Sequence, residues 1–405
     1  MHNQIPTIGA IATDTMSNPL VTALMPCLNE ERTLGICIEK AQACIRSLGI
    51  TGEVVVADNG SSDQSVAIAH SLGARVVHES RKGYGATLMA GIAAARGDII
   101  VMADADDSYD WLDMGRFISK IGEGYDLVMG NRFKGGIARG AMPALHRYIG
   151  NPVLSTLARI VHRAPIGDFH CGMRAFNRSK YPEMKLRSTG MEFATEMVVN
   201  SARAGLRIAE VPTKLRRDGR DRPPHLRSFR DGWRHLRFIV TYAPNYLYLV
   251  PGGVMMLLGL ILVAALARGS IYIGGHYLGI HFLALGSLLT LAGFNVVNLG
   301  VLAKVIATSQ VPHLGSRINH WALKRFSLEG GLISGLVLLL AGSVGDGYIL
   351  WQWLKTSDAA QEHTVHAAFV ASLLVILGLN IVFSSFLLNM LTIDLRDRDQ
   401  DRASP

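Results

Sequence analysis

The chain has 405 residues, 49% of them hydrophobic, with a formal net charge of +8 and a mean hydropathy of +0.25. That length is too great for one compact domain, and that apolarity excludes a purely soluble protein. At least two unlike parts are expected: a head with short apolar runs over residues 18–240, and a tail of long apolar stretches over residues 241–393.

Residues 1–17 are polar and Ser/Thr-rich, lack the apolar core of a cleavable signal, and are expected to be disordered. Leu20-Val-Thr-Ala-Leu-Met-Pro-Cys-Leu-Asn-Glu reads as a strand broken at Pro26, followed by a helical pattern from Glu31 to Leu48. Glu53-Val-Val-Val-Ala is a second strand, and Asp58-Asn-Gly-Ser-Ser-Asp supplies the turn formers and caps that lead into a helix over Ser65–Leu72. Arg75-Val-Val-His is a third strand, Lys82-Gly-Tyr-Gly-Ala-Thr opens another helix, and Asp98–Met102 is a fourth strand. Strands alternating with helices predict an α/β fold with a parallel, doubly wound sheet. The glycine loop at residues 82–85 suits phosphate at a helix N-terminus. No GxGxxG follows the first strand and no GxxxxGK(S/T) is present, which excludes the usual dinucleotide and P-loop patterns.

The fourth strand delivers Asp104, Asp106 and Asp107 at its carboxyl end, where an open α/β sheet binds its ligand. Three carboxylates within four residues repel one another unless a cation sits among them. Hard oxygen ligands of this kind suit Mg²⁺ or Mn²⁺ carrying a diphosphate. Taken alone, the cluster reads equally well as a solvated acidic turn.

Tyr148–Val161 carries Ile149, Val153, Leu157 and Ile160 in a helical apolar stripe, read as an amphipathic helix at a membrane surface or packed on the sheet. Nine Lys or Arg stand between Lys214 and Arg237, directly before the first long apolar stretch. Anionic lipid headgroups or a phosphorylated lipid suit that position better than nucleic acid, which is not expected as a partner. Four spans are predicted near Tyr246–Ala267, Ile280–Val301, Gly331–Leu350 and Ala367–Met390. Lys304, Arg317, Lys324, Arg325, Arg396, Arg398 and Arg402 flank one side, while the other carries only Arg268 and Lys355. The positive-inside rule then puts the head, both termini and the tail at residues 394–405 in the cytoplasm, at the plasma or inner membrane if the source is bacterial. Asn295, Asn298 and Lys304 are polar groups inside the second span, read as candidates for function or as helix–helix hydrogen bonding and snorkelling. Cys27, Cys37, Cys44 and Cys171 form no CxxC pair and are read as packing thiols.

Pro26-Cys-Leu-Asn-Glu-Glu, Ala57-Asp-Asn-Gly-Ser-Ser-Asp, Gly83-Tyr-Gly-Ala, Asp104-Ala-Asp-Asp, Met129-Gly-Asn-Arg-Phe and Asp168-Phe-His-Cys-Gly-Met-Arg-Ala-Phe occur in this order. Together they resemble glycosyltransferase family 2, and within it the dolichyl- or polyprenyl-phosphate sugar transferases; the resemblance covers residue 20 to about residue 240. It implies a GT-A head, with a mostly parallel sheet, followed by an all-α transmembrane domain of four helices. The implied reaction is inverting, metal-dependent transfer of a sugar from a UDP- or GDP-linked donor to a polyprenyl or dolichyl phosphate.

By motif matching, Pro26, Leu28, Glu30 and Asp58 line the base and ribose pocket, and Asn59, Gly85, Asp104, Ala105, Arg217 and Arg220 join the donor site. Asp106 is the principal metal ligand, with Asp104, Asp107 and Ser108 as further candidates, Ser108 standing where the family places its second protein ligand. Asp221 stands where relatives tend to carry a serine. Arg132 and Arg147 match the acceptor-phosphate arginines, with His146 as the fallback for Arg147; a salt bridge is the rival role for Arg132 and a lipid headgroup for Arg147. Asp168 is placed beside the donor sugar, bonding hydroxyls, acting as a base, or else orienting Arg174. Glu192 is a candidate for sugar contact, and Glu196, four residues on, is read as structural. A lipid phosphate is already an anion, so catalysis reduces to positioning and charge stabilisation. A processive polysaccharide synthase would share this head, but no Gln-x-x-Arg-Trp motif is present. A non-catalytic membrane scaffold or transporter with a nucleotide-sensing head is the alternative of another class. A homo-oligomer is compatible with the sequence.

Overall fold

The computed structural model describes residues 20–220, 228–241, 243–310, 327–356 and 362–401. The expected disordered stretch at residues 1–17, Asp221, and the flanking Arg317, Lys324, Arg325 and Arg402 lie outside the described residues. The chain divides into two compact units, Met1–Ile239 and Val240–Pro405.

In the first unit, β1 (Val21–Cys27), α1 (Leu34–Ser47), β2 (Gly52–Asp58), α2 (Ser65–Ser71), β3 (Arg75–His78), α3 (Tyr84–Ala94) and β4 (Ile99–Met102) follow the expected alternation. They are followed by α4 (Met114–Gly122), β5 (Leu127–Asn131), α5 (Arg132–Gly135), α6 (Asn151–His162), β6 (Arg174–Asn177), α7 (Tyr181–Met184), α8 (Phe193–Arg203), β7 (Ile208–Pro212) and α9 (Ser228–Thr241). The seven strands form one sheet in the order β3-β2-β1-β4-β6-β5-β7. Val21, Ala23, Leu24, Met25, Ile100 and Val101 are fully buried, as strands covered on both faces by helices require. β4 ends opposite Leu24, so Pro26, which has no N–H to give, lies where β1 has a ladder neighbour on one side only. On α4, Met114, Phe117, Ile118 and Ile121 form the buried stripe.

The sheet is mostly parallel, as expected; its exception is β6, which runs antiparallel to both β4 and β5. The cause is where the chain re-enters. Asp168 sits against the Arg132 N–H at the carboxyl end of β5, and Arg174 at the start of β6 pairs with Met129 near that same end. A strand entering from the carboxyl edge must run the other way. The strand order reverses between β1 and β4, the switch point at which an open sheet leaves a crevice.

The second unit contains α10 (Val250–Leu266), a hairpin of β8 (Ile271–Ile273) and β9 (His276–Leu278), α11 (Ile280–Gln310), α12 (Leu328–Thr356) and α13 (Glu362–Asp401). Among the described residues, four helices are long and apolar enough to cross a membrane: Asn245–Leu266, Ile280–Ile306, Leu328–Lys355 and Thr364–Thr392. Small residues let them approach closely. A Cβ on Gly259 would strike Gly286 and Thr290, and one on Gly335 would strike the backbone of Gly378. Asn298 donates to Ser384 Oγ at 2.6 Å, a helix–helix hydrogen bond.

Candidate active site

The crevice at the strand ends holds a cavity of about 420 Å³. Pro26, Cys27, Leu28 and Glu30 reach it from the end of β1 and Asn59 from the end of β2. Lys82, Gly83, Tyr84 and Thr87 contribute from the start of α3, and Asp104 and Asp106 from the loop after β4. Gly190 and Met191 before α8, Arg220, and Arg230, Asp231 and Arg234 on α9 complete the lining.

The acidic cluster separates. Asp104 accepts from the Tyr84 hydroxyl at 3.0 Å, and Gly172 leaves it room, since a Cβ there would lie 2.6 Å from Asp104 Oδ2. Burial first, and the charge of Asp106 second, push the Asp104 carboxyl up to about 6. Asp106 Oδ1 accepts from the Ser108 N–H at 3.0 Å and from its hydroxyl at 2.6 Å, so Ser108 orients Asp106. Ala105 between them is buried. Asp107 adopts a left-handed backbone, φ 59°, and its carboxylate pairs with Lys40 on α1 at 2.6 Å. Two carboxylates therefore face the cavity and the third faces a helix.

Arg220 joins both sides of the site. Its guanidinium meets Glu30 at 2.7 and 3.0 Å and Asp106 Oδ2 at 3.2 Å, and the neighbouring Gly219 N–H donates to the Asp106 carbonyl. Arg217 is exposed beside Gly140 and does not line the cavity among the described residues. Asp58, though buried, accepts from the Gly60 and Ser61 N–H groups and meets His78. Burial raises its pKa, but the Ser61, Gly60 and His78 hydrogen bonds outweigh that and lower it. Asp58 thus shapes the loop that presents Asn59. Asn59 in turn accepts from the Gly83 N–H at 2.9 Å and donates to the Glu79 and Arg81 carbonyls, holding the glycine loop. Gly85 is a close-packing position, because a Cβ there would strike the Ser188 carbonyl and lie 2.9 Å from Phe193 Cβ.

The residues matched to the acceptor side are not brought to the cavity lining. Arg132 and Asp168 form a two-bond ion pair with 9% and 0% of their side chains exposed. Asp168 therefore orients Arg132, the salt-bridge role weighed for that arginine, and not Arg174, which donates to the Cys171 and Ala194 carbonyls. Arg147 lies over the ring of Tyr148, 5.5 Å from its centroid. His146 is half-buried, and burial followed by the charge of Arg132 lowers its pKa. Glu196 accepts from the Arg187 and Ser188 N–H groups, a structural role. All four cysteines are free and buried, and burial pushes the Cys27 thiol up to about 11.

Sequence reasoning missed Tyr84 as the partner of Asp104, and it missed Arg230, Asp231 and Arg234. The last three fall in the basic run before the first apolar helix, and their charge alone does not tell which face of α9 meets the crevice.

Asp104 and Asp106 offer hard oxygen donors to a divalent cation, and their mutual repulsion is what such a cation relieves. Among the described residues no group of three or more His, Cys, Asp or Glu side chains is gathered around a metal position. A cation held here would complete its shell with water and diphosphate oxygens, as Mg²⁺ commonly does.

Comparison with known proteins gives the family. Residues 22–184 match the glycosyl transferase family 2 model, and residues 301–392 match the glycosyltransferase family 2 C-terminal transmembrane region. The chain is 38% identical over 382 residues to the low-salt glycan biosynthesis hexosyltransferase of Haloferax volcanii, covering 94% of this chain and 91% of that protein. It is 33% identical over 199 residues to a dolichyl-phosphate hexose transferase of the same organism, covering 48% of this chain and 82% of that one. A crystal structure of glucosyl-3-phosphoglycerate synthase from Mycobacterium tuberculosis aligns at a TM-score of 0.44 and 24% identity, over 55% of this chain and 78% of that one. The chain is an integral membrane protein with a GT-A-type head, and it belongs to glycosyltransferase family 2.

Proposed function

We propose that this glycosyltransferase transfers a sugar from a UDP- or GDP-linked donor to a polyprenyl or dolichyl phosphate at the cytoplasmic face of the membrane. The observation that carries the donor half is the convergence of Asp104, Asp106 and Arg220 on one cavity at the switch point of the sheet. Pro26, Leu28, Glu30 and Asn59 bound the part of the cavity assigned to base and ribose. Asp104 and Asp106 would hold Mg²⁺ or Mn²⁺, which supplies neutralisation of the leaving diphosphate when bound. Arg220 adds a fixed cation to the same oxygens. Glu192 Oε2 is buried without a hydrogen-bond partner and lies against Gly190 at the lining, which suits a sugar hydroxyl.

The acceptor half is supported by the likeness to a dolichyl-phosphate hexose transferase, by the apolar helices, and by chemistry. A phosphate oxygen attacks the anomeric carbon from the face opposite the diphosphate without a general base, so no carboxylate is needed on the acceptor side, and inversion follows from the single displacement. Arg132 and Arg147 stand off the cavity lining. Four spans with the head, both termini and the basic flanks on the cytoplasmic side complete the proposal.

The test incubates membranes carrying the protein with a panel of labelled nucleotide sugars and polyprenyl phosphate. A lipid-extractable sugar from one donor is expected. Label appearing only in polymer, or none from any donor, would defeat the reading.

A further inference from the structure

We infer that Lys40, on α1, is a positioning residue for cation binding: it holds Asp107 in the left-handed turn that sets the Asp106 carboxylate. The assignment rests on the reading of Asp106 as a ligand of the divalent cation that carries the donor diphosphate. Lys40 does not itself line the cavity among the described residues.

Among the described residues, Asn29, Asp107, Arg163 and Lys185 have positive φ without being glycine. Arg163 and Lys185 cap the ends of α6 and α7, where a left-handed residue is an ordinary way for a helix to stop. Asn29 follows β1, and its side chain accepts from the Ser62 N–H at 2.7 Å. Asp107, at φ 59°, ends no helix and stands between Asp106 and Ser108. Its conformation turns the chain back, so that the Ser108 N–H and hydroxyl reach Asp106 Oδ1 at 3.0 and 2.6 Å while Oδ2 meets Arg220 at 3.2 Å. An extended residue at 107 would carry Ser108 away and release that carboxylate.

The carbonyls on either side of Asp107 are tied to one segment: the Gly219 N–H donates to the Asp106 carbonyl at 3.0 Å and the Arg216 N–H to the Ser108 carbonyl at 2.9 Å. The Asp107 side chain reaches a different support, where its Oδ1 accepts from Lys40 Nζ at 2.6 Å. The two side chains are 22% and 25% exposed, so water screens this pair less than it would a fully exposed one. α1 is a fixed mount, because Cys37, Ala41 and Cys44 are buried and Lys40 lies one turn from both cysteines at the edge of that stripe. A left-handed φ is costly for a residue with a side chain and free for glycine, and aspartate tolerates it when its short carboxylate finds a bond. Here that bond is Lys40. The sign of the effect is distinctive. Removing Lys40 takes a positive charge from beside the cation site, which alone would tighten cation binding, whereas losing the turn would weaken it.

The experiment titrates Mn²⁺, with UDP or GDP present, into the full-length protein in neutral detergent micelles well below its melting temperature. Free Mn²⁺ is followed by paramagnetic resonance, and only binding abolished by Asp106→Asn is counted. Lys40→Met is expected to weaken Mn²⁺ about fivefold. Two doubles that keep the wild-type net charge separate the turn from the charge. Lys40→Met with Asp107→Gly is expected to stay within about threefold of wild type, since glycine takes the left-handed φ unaided. Lys40→Met with Asp107→Ala is expected to bind about tenfold more weakly than the glycine double. Unchanged or tighter binding by Lys40→Met would overturn the assignment. Equal weakening in both doubles would make Asp107 a ligand and overturn it too, and equal, undiminished affinity in both would show that the turn has no bearing on the cation, as for a residue that only stabilises the fold. Absence of Mn²⁺ binding by the wild type would remove the cation reading and the inference with it, whereas wild-type binding with an indifferent Lys40→Met removes the inference alone.

Discussion

Arg132 and Asp168 hold each other through two parallel bonds, Nε to Oδ2 at 2.7 Å and Nη2 to Oδ1 at 2.8 Å, where solvent scarcely reaches. The Arg132 N–H also donates to Asp168. This pair fastens the end of β5 to the loop that enters β6, and so fixes the only antiparallel strand of the seven-stranded sheet.

Removing one partner leaves the other charge buried and uncompensated. Asp168→Asn is therefore expected to cost roughly 3–5 kcal/mol of head stability, and the paired change Arg132→Met with Asp168→Leu markedly less. Thermal unfolding of the three proteins reads the difference. A single change as mild as the double one would show that the pair does not hold this junction.

Gly85→Ala tests the close approach of α3 to the segment before α8. The added methyl would meet the Ser188 carbonyl and Phe193, an overpacking cost of about 1–3 kcal/mol. Lowered thermal stability with weakened nucleotide binding is expected, because α3 presents Gly83 and Tyr84 to the cavity. Unchanged melting would refute the packing role.

These two sites mark the border of what could be read from the residues. The alternation β1-α1-β2-α2-β3-α3-β4 was legible because hydrophobic runs and turn formers alternate locally, and Asp104 and Asp106 were legible because a strand end presents them. Asp107 was not, because its direction is decided by a left-handed φ of 59° and by Lys40, which is distant in sequence. The reversal of β6 depends on where a long excursion returns, and the Arg132–Asp168 partnership depends on that return. Arg230 and Arg234 were visible only as charge, since their exposure to the cavity depends on how α9 is anchored by Thr195 and His170.

Cation binding should fall with acid. The Asp104 carboxyl stands at about 6, raised by burial and then by Asp106, and a ligand must be deprotonated to bind metal. Titrating free Mn²⁺ by its paramagnetic resonance between pH 5 and pH 8 is expected to show affinity dropping below about pH 6, by up to about tenfold per pH unit. A flat profile would remove Asp104 from the metal site.

Acid should also loosen α9. Burial lowers His235 from its usual 6.5 to about 4, so the unfolded chain takes up a proton that the folded chain refuses between those values. Stability contributed by the neutral ring is full above about pH 6.5 and lost progressively as the pH falls towards 4, roughly 3 kcal/mol in all. The difference in melting temperature between pH 7 and pH 5 should shrink in His235→Gln. An equal difference in both proteins would place the acid sensitivity elsewhere.

The most direct test of the account is the mass of the lipid product made by purified protein from a nucleotide sugar, polyprenyl phosphate and Mn²⁺. The account predicts polyprenyl phosphate plus a single hexose, formed by the wild type and lost with Asp106→Asn or with chelator. A product carrying several sugars, or undiminished formation by Asp106→Asn, would contradict it.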